Sequence, residues 1–146
     1  MNVITTFKEK QQEKQLKYER KLIREISLST LRKNIFQYFC EYITEPMVIH
    51  HLEDYCIELA IESYLLGARY SKFGYYGEPV FEVKQRCLGE EQSLAEVLFH
   101  FLSNSPVTES WEECEERLYE ACQRFISSWW NEGYERGERR YRLRLR

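Results

Sequence analysis

Glu58, Glu62 and Arg69 lie within one stretch, Cys56 to Pro79 (CIELAIESYLLGARYSKFGYYGEP), which reads as an apolar-faced helix followed by a tight aromatic–glycine turn. Two carboxylates one helical turn apart can do acid–base work when burial raises the pKa of one of them. The same groups also suit an inter-helix ion pair, with Glu58 or Glu62 meeting an arginine of another helix. His50 and Asp54 continue the four-residue spacing upstream, so these four residues drift slowly around one polar face. A metal needs three or four converging ligands, and one helix face seldom supplies them. The Glu-x-x-His pairs of di-metal bundles are also missing, because Glu96 and His100 stand four apart. No metal and no cofactor is therefore expected.

Tyr75 and Tyr76 stand between Gly74 and Gly77, and all four precede Glu78. The loop lacks the lysine and preceding strand of a phosphate loop, and Glu78 would repel phosphate. The two tyrosines suit either a recognition surface or packing over the end of a bundle. No G-x-S-x-G is present, and no cysteine carries a sequence cue for an adjacent histidine. The five cysteines (Cys40, Cys56, Cys87, Cys114, Cys122) are odd in number, widely spaced and set among apolar neighbours. They read as small buried hydrophobes in a reducing compartment.

Charge is concentrated at the ends. Residues 1–26 carry seven basic and four acidic groups, residues 136–146 carry six arginines and one glutamate, and the remainder holds eight basic against nineteen acidic groups. The tail offers Arg139, Arg140, Arg142, Arg144 and Arg146 as contacts for a polyanion. Pairing with the acidic body or with a second subunit is the other use of the same charges. Leucines alternate with arginines at Leu143 and Leu145, which suggests an extended end. Trp130 points roughly 100° away from the core stripe of Trp129. It needs a second surface, either a dimer contact or the docked N-terminal helix.

The elements that must position these residues are helical. Strand periodicity is nearly absent, and apolar residues recur at three- and four-residue spacing. Residues 1–15 read as a frayed or solvated start. A stripe then begins with Leu16, Tyr18, Leu22, Ile23 and Ile26, and a second helix carries Leu31, Ile35, Phe36, Phe39 and Ile43, capped by Ser27 or Ser29. Pro46 opens a wide-striped central helix, in which Gly67 marks close approach of another helix. Gly74 and Gly77 are expected at positive φ. Pro79 opens a segment containing Val80, Phe81, Val83, Cys87, Leu94, Val97 and Leu98, read as one bent helix or two around Gly89. After Asn104-Ser105-Pro106, a capping box at Ser110–Glu113 opens the last helix, with Leu118, Cys122, Phe125 and Trp129 in its stripe. The expectation is an all-α, single-domain bundle of about five helices over residues 1–146, with a basic tail at 136–146. The third and last helices form its core.

Two segments, AIESYLLGARYSKFGYYGE (Ala60–Glu78) and FISSWWNEGYERGERRYRLRLR (Phe125–Arg146), resemble the YbaK-type family of small uncharacterised proteins from Bacillus and related spore-forming bacteria. That family is distinct from the similarly named editing deacylase acting on charged tRNA. The resemblance implies a cytoplasmic bacterial protein and transfers no site residue. No apolar run approaches the roughly 18 residues of a membrane span. The first fifteen residues have neither the apolar core nor the cleavage site of a secretory signal. The leading functional reading is a non-enzymatic module acting through a protein partner or a second copy of itself. A ligand-binding or enzymatic bundle using Glu58, Glu62, Arg69, Tyr75 and Tyr76 is the alternative, and polyanion binding by the arginine tail is a further one.

Overall fold

The computed structural model describes residues 3–42, 46–104 and 111–144, and every regular element among them is an α-helix. The helices are α1 (Val3–Arg24), α2 (Leu28–Phe39), α3 (Pro46–Tyr75), α4 (Val80–Ser103) and α5 (Trp111–Arg144). Among the described residues none is long and apolar enough to cross a membrane.

The central pair is α3 and α5. Their contacts rise together in number, Ser63 with Ile126, Gly67 with Trp130 and Ala68 with Gly137, so the two helices run parallel. Small residues let the backbones meet. A Cβ on Gly67 would land on the Trp130 carbonyl, and one on Gly133 would land on the Tyr64 carbonyl. The close approach expected at Gly67 is therefore to α5. Ser63 Oγ uses it to donate a 2.6 Å hydrogen bond to the Ile126 carbonyl.

Helices α1 and α2 pack on one side of this pair and α4 on the other, with no helix-packing contact between the two sides among the described residues. On the first side Leu22, Leu31, Ile35 and Phe39 share one buried cluster with Phe125 and Trp129, and the Phe39 and Phe125 rings meet edge to face at 5.3 Å. On the other, α4 runs antiparallel to α5: Cys87 meets Trp130 near one end and Phe99 meets Tyr119 near the other. Trp130 is fully buried there. It stacks on Tyr134 at 5.1 Å and donates from Nε1 to Cys87 Sγ at 3.2 Å. Its second surface is thus α4 of the same chain, not a dimer contact and not the N-terminal helix.

Several local expectations change. Ser27 is the cap of α2, its Oγ accepting from Thr30 N–H at 3.4 Å. Among the described residues only Gly77 has a positive φ, 102°. The Gly77 and Glu78 amides bond back to Gly74 and Phe73, which closes α3 with a left-handed C-terminal turn. Gly74 remains helical, and there a Cβ would strike the Tyr134 hydroxyl. Helix α4 is continuous through Gly89, whose side faces open space. Leu16, Phe36, Val80, Phe81 and Val97 are exposed, because each helix is covered by neighbours on only part of its apolar arc. Ile43 and Ser110, and the side chains of His50, Trp111, Glu113 and Cys114, lie outside the described residues.

Candidate functional site

Helix α3 carries Glu58, Glu62 and Arg69 on its solvent side, all three exposed. They do not converge. Arg69 turns to α1, where Nε and a terminal nitrogen donate to Glu19 Oε1 at 3.0 and 2.7 Å. This inter-helix ion pair is not the expected one of Glu58 or Glu62 with an arginine of another helix: here the arginine comes from α3 and the carboxylate from α1. Glu62 and Arg69 share a shallow groove of about 400 Å3 with Glu90, and Glu58 stands outside it. Tyr75 stacks on Tyr141 of α5, with ring centroids 5.8 Å apart, while Tyr76 is 78 % exposed beyond it. Among the described residues no group of three or more His, Cys, Asp or Glu side chains could hold a metal ion.

The basic tail is helical through Arg144, not extended as the alternation of leucine and arginine suggests. Tyr141 binds it to Tyr75 and Tyr18, and Arg142 pairs with Glu138 one turn earlier at 2.7 Å. Arg136 and Arg140 both grip Glu25 at the end of α1, the former at 3.4 Å, and Arg136 also reaches Glu132 at 3.5 Å. Arg139 is exposed, and the side chains of Arg144 and Arg146 lie outside the described residues. The tail's best-placed partner is thus a carboxylate on the other basic end, close in space though more than a hundred residues away in sequence.

Three further arrangements emerge from the packing. Where the α1–α2 corner meets α3 and α5, a cavity of about 330 Å3 is walled by Tyr64, Asn34, Ser128 and Trp129, with Glu25, Glu132 and Arg136 at its charged rim. Burial pushes the Tyr64 phenol up to about 12. On the opposite side, Lys84 of α4 bonds Ser127 of α5, faces the Trp130 ring and lies 3.9 Å from Glu91. Burial raises the Glu91 pKa, and Lys84 only partly offsets this. The third arrangement is a pair of oppositely charged grooves. Lys8, Lys14, Arg69 and Lys72 line one of about 630 Å3 between α1 and the C-terminal ends of α3 and α5. Glu96, Glu115, Glu116 and Glu120 line one of about 670 Å3 between α4 and the beginning of α5. For Glu91 a signal existed, since it falls on the spacing of Cys87, Ala95 and Leu98. The cavity and the grooves draw on helices far apart in sequence, which periodicity does not reveal.

The family described as "Protein of unknown function (DUF2521)" matches residues 1–146. The chain is similar to the protein described as "Uncharacterized protein YbaK" of Bacillus subtilis (strain 168), 31% identical over 153 residues and covering 100% of both chains. No solved structure matches it significantly.

Proposed function

The chain belongs to the DUF2521 family, whose function is unknown, and on that premise we propose that it is a non-enzymatic interaction module that assembles with copies of itself. The observation that carries this reading is the pair of oppositely charged grooves at the two ends of α5. Glu116 and Tyr141, one from each groove, are separated by a helical run of about 38 Å. The basic groove opens on the α1 side of the central pair and the acidic groove on the α4 side. One copy's basic end therefore meets another's acidic end, a heterologous contact that propagates or closes into a ring. Both grooves carry a tyrosine, Tyr141 in the basic one and Tyr119 in the acidic one, which adds contact area at low entropic cost.

Helix α1 supports the same reading. Residues 7–17 are all exposed, so its first turns gain little from the rest of the chain. An isolated helix of that length is marginal in water, and a partner laid along the groove would stabilise it. A cytoplasmic location belongs to the proposal, supported by the free thiols of Cys40, Cys56, Cys87 and Cys122.

Sedimentation velocity tests it. Association should rise with protein concentration at about 0.05 M salt and weaken strongly at about 0.5 M, where exposed charges are screened. The variant Lys8→Glu with Lys72→Glu should be monomeric, and so should Glu116→Lys with Glu120→Lys. A mixture of the two retains one matched pair of ends and should form a one-to-one complex. A protein that stays monomeric at low salt over the whole concentration range would overturn the proposal.

A further inference from the structure

Helix α1 turns no carboxylate toward the groove it forms with the ends of α3 and α5. Its lining residues there are Lys8, Gln11, Gln12, Lys14, Gln15 and Tyr18. Glu9 and Glu13 fall between them in sequence but outside the groove. Arg69 and Lys72 supply the α3 wall and Tyr141 the α5 wall. Among the described residues, then, no acidic group lines this space of about 630 Å3.

The groove therefore holds uncancelled positive charge. Arg69 is matched by Glu19, but Lys8, Lys14 and Lys72 make no ion pair among the described residues. Carboxylates at this end of the molecule are taken, Glu78 by Arg86 and Glu138 by Arg142. Arg136 and Arg140 of the tail, by contrast, both meet Glu25.

A row of tyrosine rings leads out of the same groove. Tyr18 meets Tyr141 at 6.5 Å, Tyr141 stacks on Tyr75 at 5.8 Å, and Tyr75 meets Tyr76 at 5.3 Å. The row ends on the exposed ring of Tyr76.

Lysines present mobile point charges without fixed geometry, which suits a chain of phosphates more than one small anion. Lys8 and Lys14 stand about 9 Å apart along α1, within about one Debye length at 0.1 M salt. An open aromatic face beside such a groove is how single strands are held, because every base can stack on it. A duplex hides its base faces and needs a wide basic surface. Residues 27–135, with eight basic against nineteen acidic groups, do not offer one.

We propose that this groove binds single-stranded nucleic acid, with phosphates along Lys8, Lys14 and Lys72 and a base stacked on Tyr76. The groove then takes either a strand or a second copy's acidic end, and strand binding requires no self-association.

Fluorescence anisotropy of a labelled oligouridylate of about eight nucleotides, titrated with the full chain, tests this. Three unmatched lysines give an expected slope of log affinity against log salt of about −2, and Lys72→Gln should reduce it by about 0.7. Tyr76→Ala should weaken binding by about ten-fold and leave the slope unchanged. Both side chains are exposed, so the fold is retained in either variant. A duplex of the same length, or inorganic polyphosphate of the same charge, should displace the strand poorly. Absence of binding at about 0.05 M salt overturns the proposal, and so does an unchanged slope in Lys72→Gln. Equal affinity in Tyr76→Ala, or equal displacement by duplex or polyphosphate, also overturns it, because charge alone would then explain the contact.

Discussion

Glu91 occupies the same face of α4 as Cys87, Ala95 and Leu98 and is 8 % exposed. Desolvation raises its pKa from 4.5, and Lys84, 3.9 Å away, lowers it by less. A carboxyl whose folded pKa lies above its unfolded value favours folding in its protonated form. That contribution is complete below about 4.5 and is lost as pH rises through the folded value. Glu91→Gln should therefore be more stable than the parent at pH 7, with the difference shrinking to nothing as pH falls toward 4.5 in urea titrations. A difference that stays constant with pH would show that the buried charge is not its cause. The cysteines follow the same physics with a simpler outcome. Burial pushes the Cys56 and Cys87 thiols up to about 12 and raises that of Cys122, which keeps all three as neutral, inert hydrophobes. Their apolar neighbours made this legible in the sequence. Glu91 was legible too, as a charged residue in phase with an apolar stripe. Tyr64 was not, because a tyrosine in a core stripe looks the same whether or not its hydroxyl finds a partner.

The glycines separate the parts of the helices that touch from those that do not. Gly67 and Gly133 lie where the α3 and α5 backbones meet, and a Cβ on either would overlap a carbonyl of the other helix. Gly89 lies in α4 with nothing within 4 Å. Gly67→Ala and Gly133→Ala should each destabilise by about 1–3 kcal/mol through overpacking. Gly89→Ala should stabilise by about 0.5–1 kcal/mol through helix propensity. Chemical denaturation of the three variants measures both signs at once, and three equal shifts would mean that the crossing imposes no special constraint. Close approach at Gly67 was readable from a glycine inside a long apolar stripe. Gly74 was misread, because a glycine near a helix end suggests a turn when sequence is the only guide. Its real constraint, the Tyr134 hydroxyl, comes from another helix. The exposed Leu16 and Phe36 were misassigned for a related reason: periodicity marks an apolar arc without saying how much of it a neighbour covers.

Across the molecule, burial is concentrated in α3 and α5, flanked by α1–α2 and by α4, while residues 7–17 of α1 all fall on the exposed side. Amide hydrogen exchange should reflect that gradient. Protection should be highest along residues 59–68 and 118–130 and lowest along 7–17, and uniform protection would contradict it. The sequence by itself determined the helical class, a count of about five helices, the central place of α3 and α5, and the family resemblance. Those features rest on periodicity, breakers and local motifs, and each is encoded within one helix or its immediate flanks. The tertiary structure decided which charges meet. It gave Arg69 to Glu19 and the tail arginines to Glu25, and it spread Glu58, Glu62 and Arg69 over an open helix face. It also assembled a cavity at Tyr64 and a charged groove at each end of α5. The physical reason is range. A helix fixes the side chains within a few turns of one another, whereas ion pairs and cavities between helices depend on crossing geometry that only the packed core sets.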